Sequence, residues 1–263
     1  MPERDLRRGL VIAVEGPSGA GKSSVTQRLA PLLGATRVAE AYDRLGRSVS
    51  LVFRGRDELA DLERQLLREE GRRWTEARDL RALGASAVLD TATFGPLTYA
   101  WGYREGVDGA IDVVLELART VRRMAGKGDW GLPDLTIYLD VPEGLARTRA
   151  KLDPRAHPSE TAERHAAVGR WERVLYSREL PRRLPGRFLS VSGEGTAGEV
   201  ALAIQERLER FGPLPPATPE ETDRFLRLFE TGGAAPAELR PSTGPAPKRS
   251  ADGPTRARGP PGP

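Results

Sequence analysis

The feature that most constrains this chain is the run Gly16-Pro-Ser-Gly-Ala-Gly-Lys22-Ser23, which fits G-x-x-x-x-G-K-[ST] between an apolar run and a helical pattern. Such a loop demands a strand on one side and a helix on the other. Glycines let the backbone wrap tightly, so that N–H groups of Gly16, Pro17's neighbour Ser18, Gly19, Ala20, Gly21, Lys22, Ser23 and Ser24 converge on phosphate oxygens at a helix N-terminus. Lys22 reaches the outer phosphates and the Ser23 hydroxyl suits Mg²⁺. A glycine-rich turn before an ordinary helix is the plain alternative. The lysine argues against it, because only Lys22, Lys127, Lys151 and Lys248 are lysines among 41 basic residues.

The flanks fit the motif. Leu10 to Val14 reads as a buried strand and Ser23 to Leu33 as a helix; Thr36 to Ala39 is a weaker strand. Glu58 to Leu83 carries Leu59, Leu62, Leu66, Trp74, Ala77 and Leu80 near helical spacing. Ala87 to Leu89 is strand-like and ends at Asp90, Asp108 to Met124 has one apolar helical stripe, and Leu135 to Leu139 is a strand ending at Asp140. Arg164 to Leu180, Phe188 to Val191 and Ala197 to Phe211 complete the alternation as helix, strand and helix. This pattern predicts an α/β fold with a parallel sheet, whose ligands gather at the carboxyl ends of the strands.

Composition removes several chemistries. The chain has 263 residues, no cysteine and two histidines, which excludes disulfides, thiolate metal sites and a cysteine nucleophile. Its net charge of +4 and arginine-rich background give no footprint for nucleic acid. No apolar run is long enough to span a bilayer or act as a secretory signal, so a cytoplasmic protein without membrane partners is expected. Twelve of the 22 prolines fall between Pro213 and Pro263. The expected organisation is therefore a domain over 1–212 and a Pro/Gly/Ala-rich, mostly disordered tail over 213–263, with one short helix over 220–230. Phe225, Leu228 and Phe229 would let that helix dock on the core.

The absence of asparagine leaves no guanine-reading Asn-Lys-x-Asp element, and Asp90 is not followed by glutamate as in ring-forming ATPases. A small-molecule phosphotransferase remains. Val14-Glu-Gly-Pro-Ser-Gly-Ala-Gly-Lys-Ser-Ser24 resembles the opening of the thymidylate-kinase-like P-loop nucleoside and nucleotide kinases. Asp134-Leu-Thr-Ile-Tyr-Leu-Asp-Val-Pro-Glu143 is similar to that family's fourth-strand signature, and Asp90 to Tyr99 occupies the place of its Asp-Arg motif. The resemblance covers residues 9–211. It implies a three-layer α/β/α fold with a five-stranded parallel sheet of order 2-3-1-4-5, a mobile lid, and use of ATP and Mg²⁺. Relatives of this fold often pair through helices, which leaves a homodimer as an option.

The resemblance also suggests roles. Asp90, ending a strand, would meet the Mg²⁺ and the transferring phosphoryl group, or else cap the next turn. Glu40, after the second strand, lies where deoxynucleoside kinases carry a base for the substrate hydroxyl; a surface glutamate is the alternative. Glu15 and Asp140 would orient neighbouring backbone. Arg147 and Arg149 fall at the start of the lid region, as transition-state cations or as a solvated face. Tyr99 matches a tyrosine in the acceptor region and shares a helical face with Tyr103, although a core role for Tyr99, Trp101 and Tyr103 fits equally. Thr91 stands where the family has arginine, Gly95-Pro96 replaces Ser-Ser, and Ala100 replaces glutamine. Threonine cannot reproduce a bidentate phosphate clamp. The expectation is therefore an ATP-dependent kinase of a nucleoside, nucleotide or related hydroxyl-bearing metabolite. The alternatives are an unrelated acceptor such as an antibiotic hydroxyl, and a nucleotide-dependent regulatory protein with a decayed acceptor site.

Overall fold

In a computed structural model, which describes residues 9–46, 53–152, 168–211 and 214–230, the short apolar runs pair into one parallel sheet. Its strands are Val11–Glu15 (β1), Thr36–Val38 (β2), Ala87–Asp90 (β3), Leu135–Asp140 (β4) and Phe188–Ser192 (β5), in the order β2-β3-β1-β4-β5. That is the order the resemblance implies. Every residue of β1 and β3 is buried, as expected of strands covered on both faces. Register sets Val14 opposite Asp90, Glu15 opposite Tyr138 and Val38 opposite Leu89. Glu15, Glu40 and Asp90 therefore all leave the sheet at one edge.

The helices are Lys22–Leu32 (α1), Ala41–Leu45 (α2), Arg56–Ala82 (α3), Gly95–Gly102 (α4), Ala110–Gly126 (α5), Glu143–Leu152 (α6), residues 168–183 (α7), Ala197–Arg210 (α8) and Pro219–Glu230 (α9). Val25 and Leu29 of α1 and Val200 and Ile204 of α8 close one face of the sheet over Ile12, Val14 and Ile137. Helices α3, α4, α5 and α9 assemble against one another on the other side. The start of α8 is fixed by a reciprocal cap, in which the Thr196 hydroxyl accepts from the Glu199 N–H and the Glu199 carboxylate accepts from the Thr196 N–H.

Most predicted elements lie within two residues of their observed bounds, and two features carry no clear sequence signal. One is the short α2. The other is a π-turn at Leu175–Glu179 inside α7. Pro181 accounts for it: proline has no N–H to give the carbonyl four residues back, and its ring crowds that carbonyl. Among the described residues no helix is long and apolar enough to cross a membrane.

Residues 214–230, assigned by sequence to the tail, are tied to the sheet by polar contacts before they reach the core. Arg187 donates to the carbonyls of Pro215 and Pro216 at 2.6 and 3.1 Å and pairs with Glu221 at 2.8 Å. Asp134 accepts from the N–H of Val11 at 2.8 Å and of Ala217 at 2.9 Å. Phe225 then packs on Phe94 and Trp130, and Phe229 on Trp101. The expected lid runs from Arg147 to Glu160, and its part beyond Leu152, with Arg155 and His157, lies outside the described residues, as do His165, Arg47 and the tail beyond 230.

Both phenylalanines are buried, so α9 is an integral cover for α4 and α5. Phe225→Ala should cost about 3–5 kcal/mol in urea unfolding, and ending the chain before Pro219 should lower the thermal midpoint at least as far. An unchanged midpoint in both variants would contradict the docking.

Candidate active site

The phosphate loop is held in shape by two left-handed glycines. Gly19 has φ 82°, and a Cβ there would stand 2.1 Å from the Ala146 carbonyl oxygen, so only glycine lets the loop lie against α6. Gly21, at φ 88°, turns the chain into α1. The Lys22 ammonium folds back over the loop, donating to the carbonyls of Gly16 at 2.8 Å and Pro17 at 3.3 Å. Glu15, at the base of the loop, accepts from the Ala92 N–H at 2.8 Å and so couples the end of β1 to the end of β3.

Pro17 to Ser24 line a cavity of about 1160 Å³. The sheet order decides what faces it from each side. From the β4–β5 side, α6 and α7 bring Arg147, Arg149, Lys151, Arg170 and Arg173, with one carboxylate, Glu143. From the β2–β3 side come Glu40, Glu63 and Glu70, with Tyr42, Leu62, Leu66, Thr91, Tyr99 and Tyr103. The cavity is thus cationic on one side of the phosphate loop and anionic with aromatic walls on the other. Lys22 and Glu40 both line it, and the Lys22 charge acts on the Glu40 carboxyl.

Burial chiefly holds the Glu40 carboxyl above its ordinary range, opposed by Lys22 and reinforced by Asp90 and Asp43. Glu15 is pushed up to about 7, first by burial, with Lys22 and the Ala92 N–H opposing. Glu70 is also pushed up to about 7 by burial, against the pull of Arg73. Glu63, buried and repelled by Glu70, lies well above the usual carboxylate range.

The remaining predicted residues divide by position. Tyr99 and Thr91 line the cavity. Tyr99 lies 6.4 Å from Tyr103, ring to ring, whereas Trp101 turns away onto Trp171 and Phe229, so the aromatic triplet splits between site and core. Asp90 has no solvent exposure and is not part of the cavity lining. One of its oxygens accepts from Arg37; the other, Oδ1, is buried with no partner. An orphaned carboxylate oxygen and a hydroxyl such as that of Ser23 are each hard oxygen donors of the type that Mg²⁺ takes. Arg147 pairs with Glu143 at 3.2 Å. Arg149 is committed to the carbonyls of Gly193, Glu194 and Gly195 at 2.8 to 3.2 Å, where it holds the β5–α8 loop.

Sequence reasoning missed Glu63, Glu70 and Arg73. Arg73 is fully buried; it pairs with Glu70 and donates to the backbone oxygens of Asp90 and Thr91. Thr91 between them has φ 69°, a left-handed conformation rare for threonine. The signal was present in α3: Leu59, Glu63, Leu66, Glu70, Arg73 and Ala77 follow one another at three- and four-residue steps, so charges occupy an otherwise apolar stripe.

No family model matches the chain. It is 33% identical over 170 residues to the guanylate kinase of Rubrobacter xylanophilus, a match covering 60% of this chain and 75% of that protein. Among solved structures it is similar to a deoxyadenosine kinase from M. mycoides with bound dATP, with TM-score 0.57 and 16% identity over 76% of this chain and 99% of the other. The same enzyme with bound dCTP gives TM-score 0.51 and 17% identity over 77% of this chain and 100% of the other. These structural likenesses are in the fold.

The raised Glu15 pKa has a stability consequence whose sign is the reverse of an ordinary ion-paired carboxylate. Because the folded value lies above the unfolded one, the contribution is complete below the ordinary glutamate value of 4.5 and is lost as pH rises through about 7. The thermal midpoint should fall between about pH 5 and pH 8. Glu15→Gln, which keeps an acceptor for the Ala92 N–H, should flatten part of that slope, leaving the part due to Glu70. A midpoint that rises over the same range, unaltered by the substitution, would contradict this electrostatic picture.

Proposed function

The chain belongs to the P-loop nucleotide kinase family and is a phosphotransferase of that group, and from that premise we propose that it moves the γ-phosphoryl of ATP to a hydroxyl of a nucleoside, nucleotide or related small metabolite. The observation that carries the reading is that Lys22 and Glu40 line one cavity, between the phosphate-binding loop and a carboxyl- and tyrosine-lined wall, with Lys22 acting electrostatically on Glu40. The name of the guanylate kinase relative supports a nucleotide-type acceptor, and those of the structural neighbours a nucleoside-type one. What supports a thymidylate-kinase-like reading within that family is the resemblance of the three sequence segments 14–24, 90–99 and 134–143.

In this reading the loop from Gly16 to Ser24 wraps the phosphates of ATP, and Lys22 leaves its carbonyl partners to follow the charge developing on the β- and γ-oxygens. Ser23 and Asp90 would hold Mg²⁺, which neutralises charge on the phosphate oxygens. Glu40 accepts the proton of the acceptor hydroxyl as its oxygen attacks phosphorus in line and ADP departs. A carboxylate with a raised pKa is a better base than an ordinary one. Arg147 lines the cationic side and serves the transferring group, while Arg149 positions the 193–195 loop. Thr91 and Tyr99 form part of the acceptor wall.

The test is phosphoryl transfer by the purified protein with ATP, Mg²⁺ and a metabolite panel, read as products heavier by one phosphoryl group. Lys22→Ala should abolish transfer. Glu40→Gln should lower kcat by about 10²–10⁴-fold. In the unmodified protein kcat/KM should fall as pH drops through a value above the ordinary glutamate range, and the Gln variant should lose that limb. Normal turnover by Glu40→Gln would remove it from the base role.

A further inference from the structure

The acidic side of the cavity holds a group that the transfer chemistry does not use. Glu63 lines the cavity, is 2% exposed, and leaves Oε2 buried without a hydrogen-bond partner. An isolated buried carboxyl is costly, and a protein interior normally satisfies its polar atoms. Glu70 lies close enough to repel it. Arg73 does not pair with Glu63. It is fully buried, pairs with Glu70 through Nη1, donates from Nη2 to the backbone oxygens of Asp90 and Thr91, and keeps its Nε without a partner.

No lysine or arginine belongs to the described lining contributed by the β2–α3–β3–α4 side; every basic lining residue other than Lys22 comes from α6 and α7. Arg44, on α2, is turned onto Glu69 and Glu76 outside the lining. A phosphate monoester placed on this side would face three carboxyls with no bidentate partner among the described residues. The remaining walls, Leu62, Leu66, Tyr99 and Tyr103, suit a flat or apolar ring.

Resting on the kinase reading above, we propose that the acceptor is a phosphate-free alcohol bearing an amino donor, which Glu63 receives on the α3 wall of the cavity. Two kinds of molecule share this chemistry. An amino-substituted base presents an N–H₂ beside a ring nitrogen, which a protonated carboxyl meets with both oxygens, one accepting from the N–H₂ and the O–H donating to the ring nitrogen; an amino sugar presents an ammonium group, from which the carboxylate accepts. In either case the donor satisfies the orphaned oxygen, and Glu63 acts as a specificity residue.

The experiment compares matched acceptors in the full-length protein with ATP and Mg²⁺: deoxycytidine against deoxyuridine, deoxyadenosine against deoxyinosine, glucosamine against glucose, and deoxycytidine and deoxyadenosine against their 5′-monophosphates. At least one amino compound should exceed its amino-lacking partner by about tenfold or more in kcat/KM, the scale of one buried charge-assisted hydrogen bond. Where that compound is a nucleoside, it should also exceed its own monophosphate. The pair that responds tells base from amino sugar. In Glu63→Leu, which removes both oxygens where a Gln amide would keep an acceptor and a donor for an amino base, the amino preference should collapse toward one through a higher KM for the amino acceptor, while the KM for ATP stays put. A merely structural role would leave the ratio unchanged. The folded Leu variant should be at least as thermostable, since it loses a buried acid. Preference for a monophosphate, equal use of both members of every pair, or a ratio unmoved by Glu63→Leu would overturn this inference and leave the kinase reading standing. No transfer to any acceptor would overturn both.

Discussion

A single buried guanidinium sets the geometry on which the acceptor side depends. Arg73 has no solvent exposure, yet it neutralises Glu70 on its own helix and ties that helix to the backbone at the end of β3. Removing one partner of such an arrangement leaves the other charge buried and uncompensated, a cost of about 3–5 kcal/mol. The same two carbonyls bracket Thr91, so the contacts that fasten α3 also hold that residue in its left-handed conformation. Because α3 carries Leu62, Glu63, Leu66 and Glu70, fastening it to β3 fixes one wall of the cavity relative to the sheet edge.

The polarity of the site follows from topology. A sheet ordered β2-β3-β1-β4-β5 puts the phosphate loop, after β1, in the middle. The connections on the β4–β5 side bring arginines, and those on the β2–β3 side bring glutamates. A triphosphate and an electron-rich leaving group fit the first, and a donor-bearing acceptor fits the second. Glu40, at the boundary, is raised by burial and by Asp90 yet steadied by Lys22, which suits the proposed pairing of a base with a phosphate-binding cation.

Much of the frame was legible in the sequence. The loop motif, the apolar runs and the order of the three resemblance segments led to the sheet and to Glu15, Glu40 and Asp90 at one edge. What failed to show was pairing across elements. Nothing in the chain announces that Arg37 on β2 would take one oxygen of Asp90, or that Arg149 would spend itself on the carbonyls of 193–195. Arginine is so abundant that Arg73 carried no weight by type. Only its place in the stripe of α3, among Leu59, Leu66 and Ala77, sets it apart from the solvated arginines. Pro215 and Pro216 mislead in another way: a proline-rich composition suggests solvent, but their carbonyls are free to accept from Arg187, which brings α9 onto the core.

The division of the cavity into a phosphate side and a donor-receiving acceptor side is tested most directly by a crystal structure with a non-hydrolysable ATP analogue, Mg²⁺ and an amino-bearing nucleoside. The triphosphate should lie on the loop from Gly16 to Ser24, with an acceptor hydroxyl within hydrogen-bond reach of Glu40 and a nitrogen donor on Glu63. Phosphate density between Glu63 and Glu70, or a nucleoside with its amino group turned away from both, would contradict it.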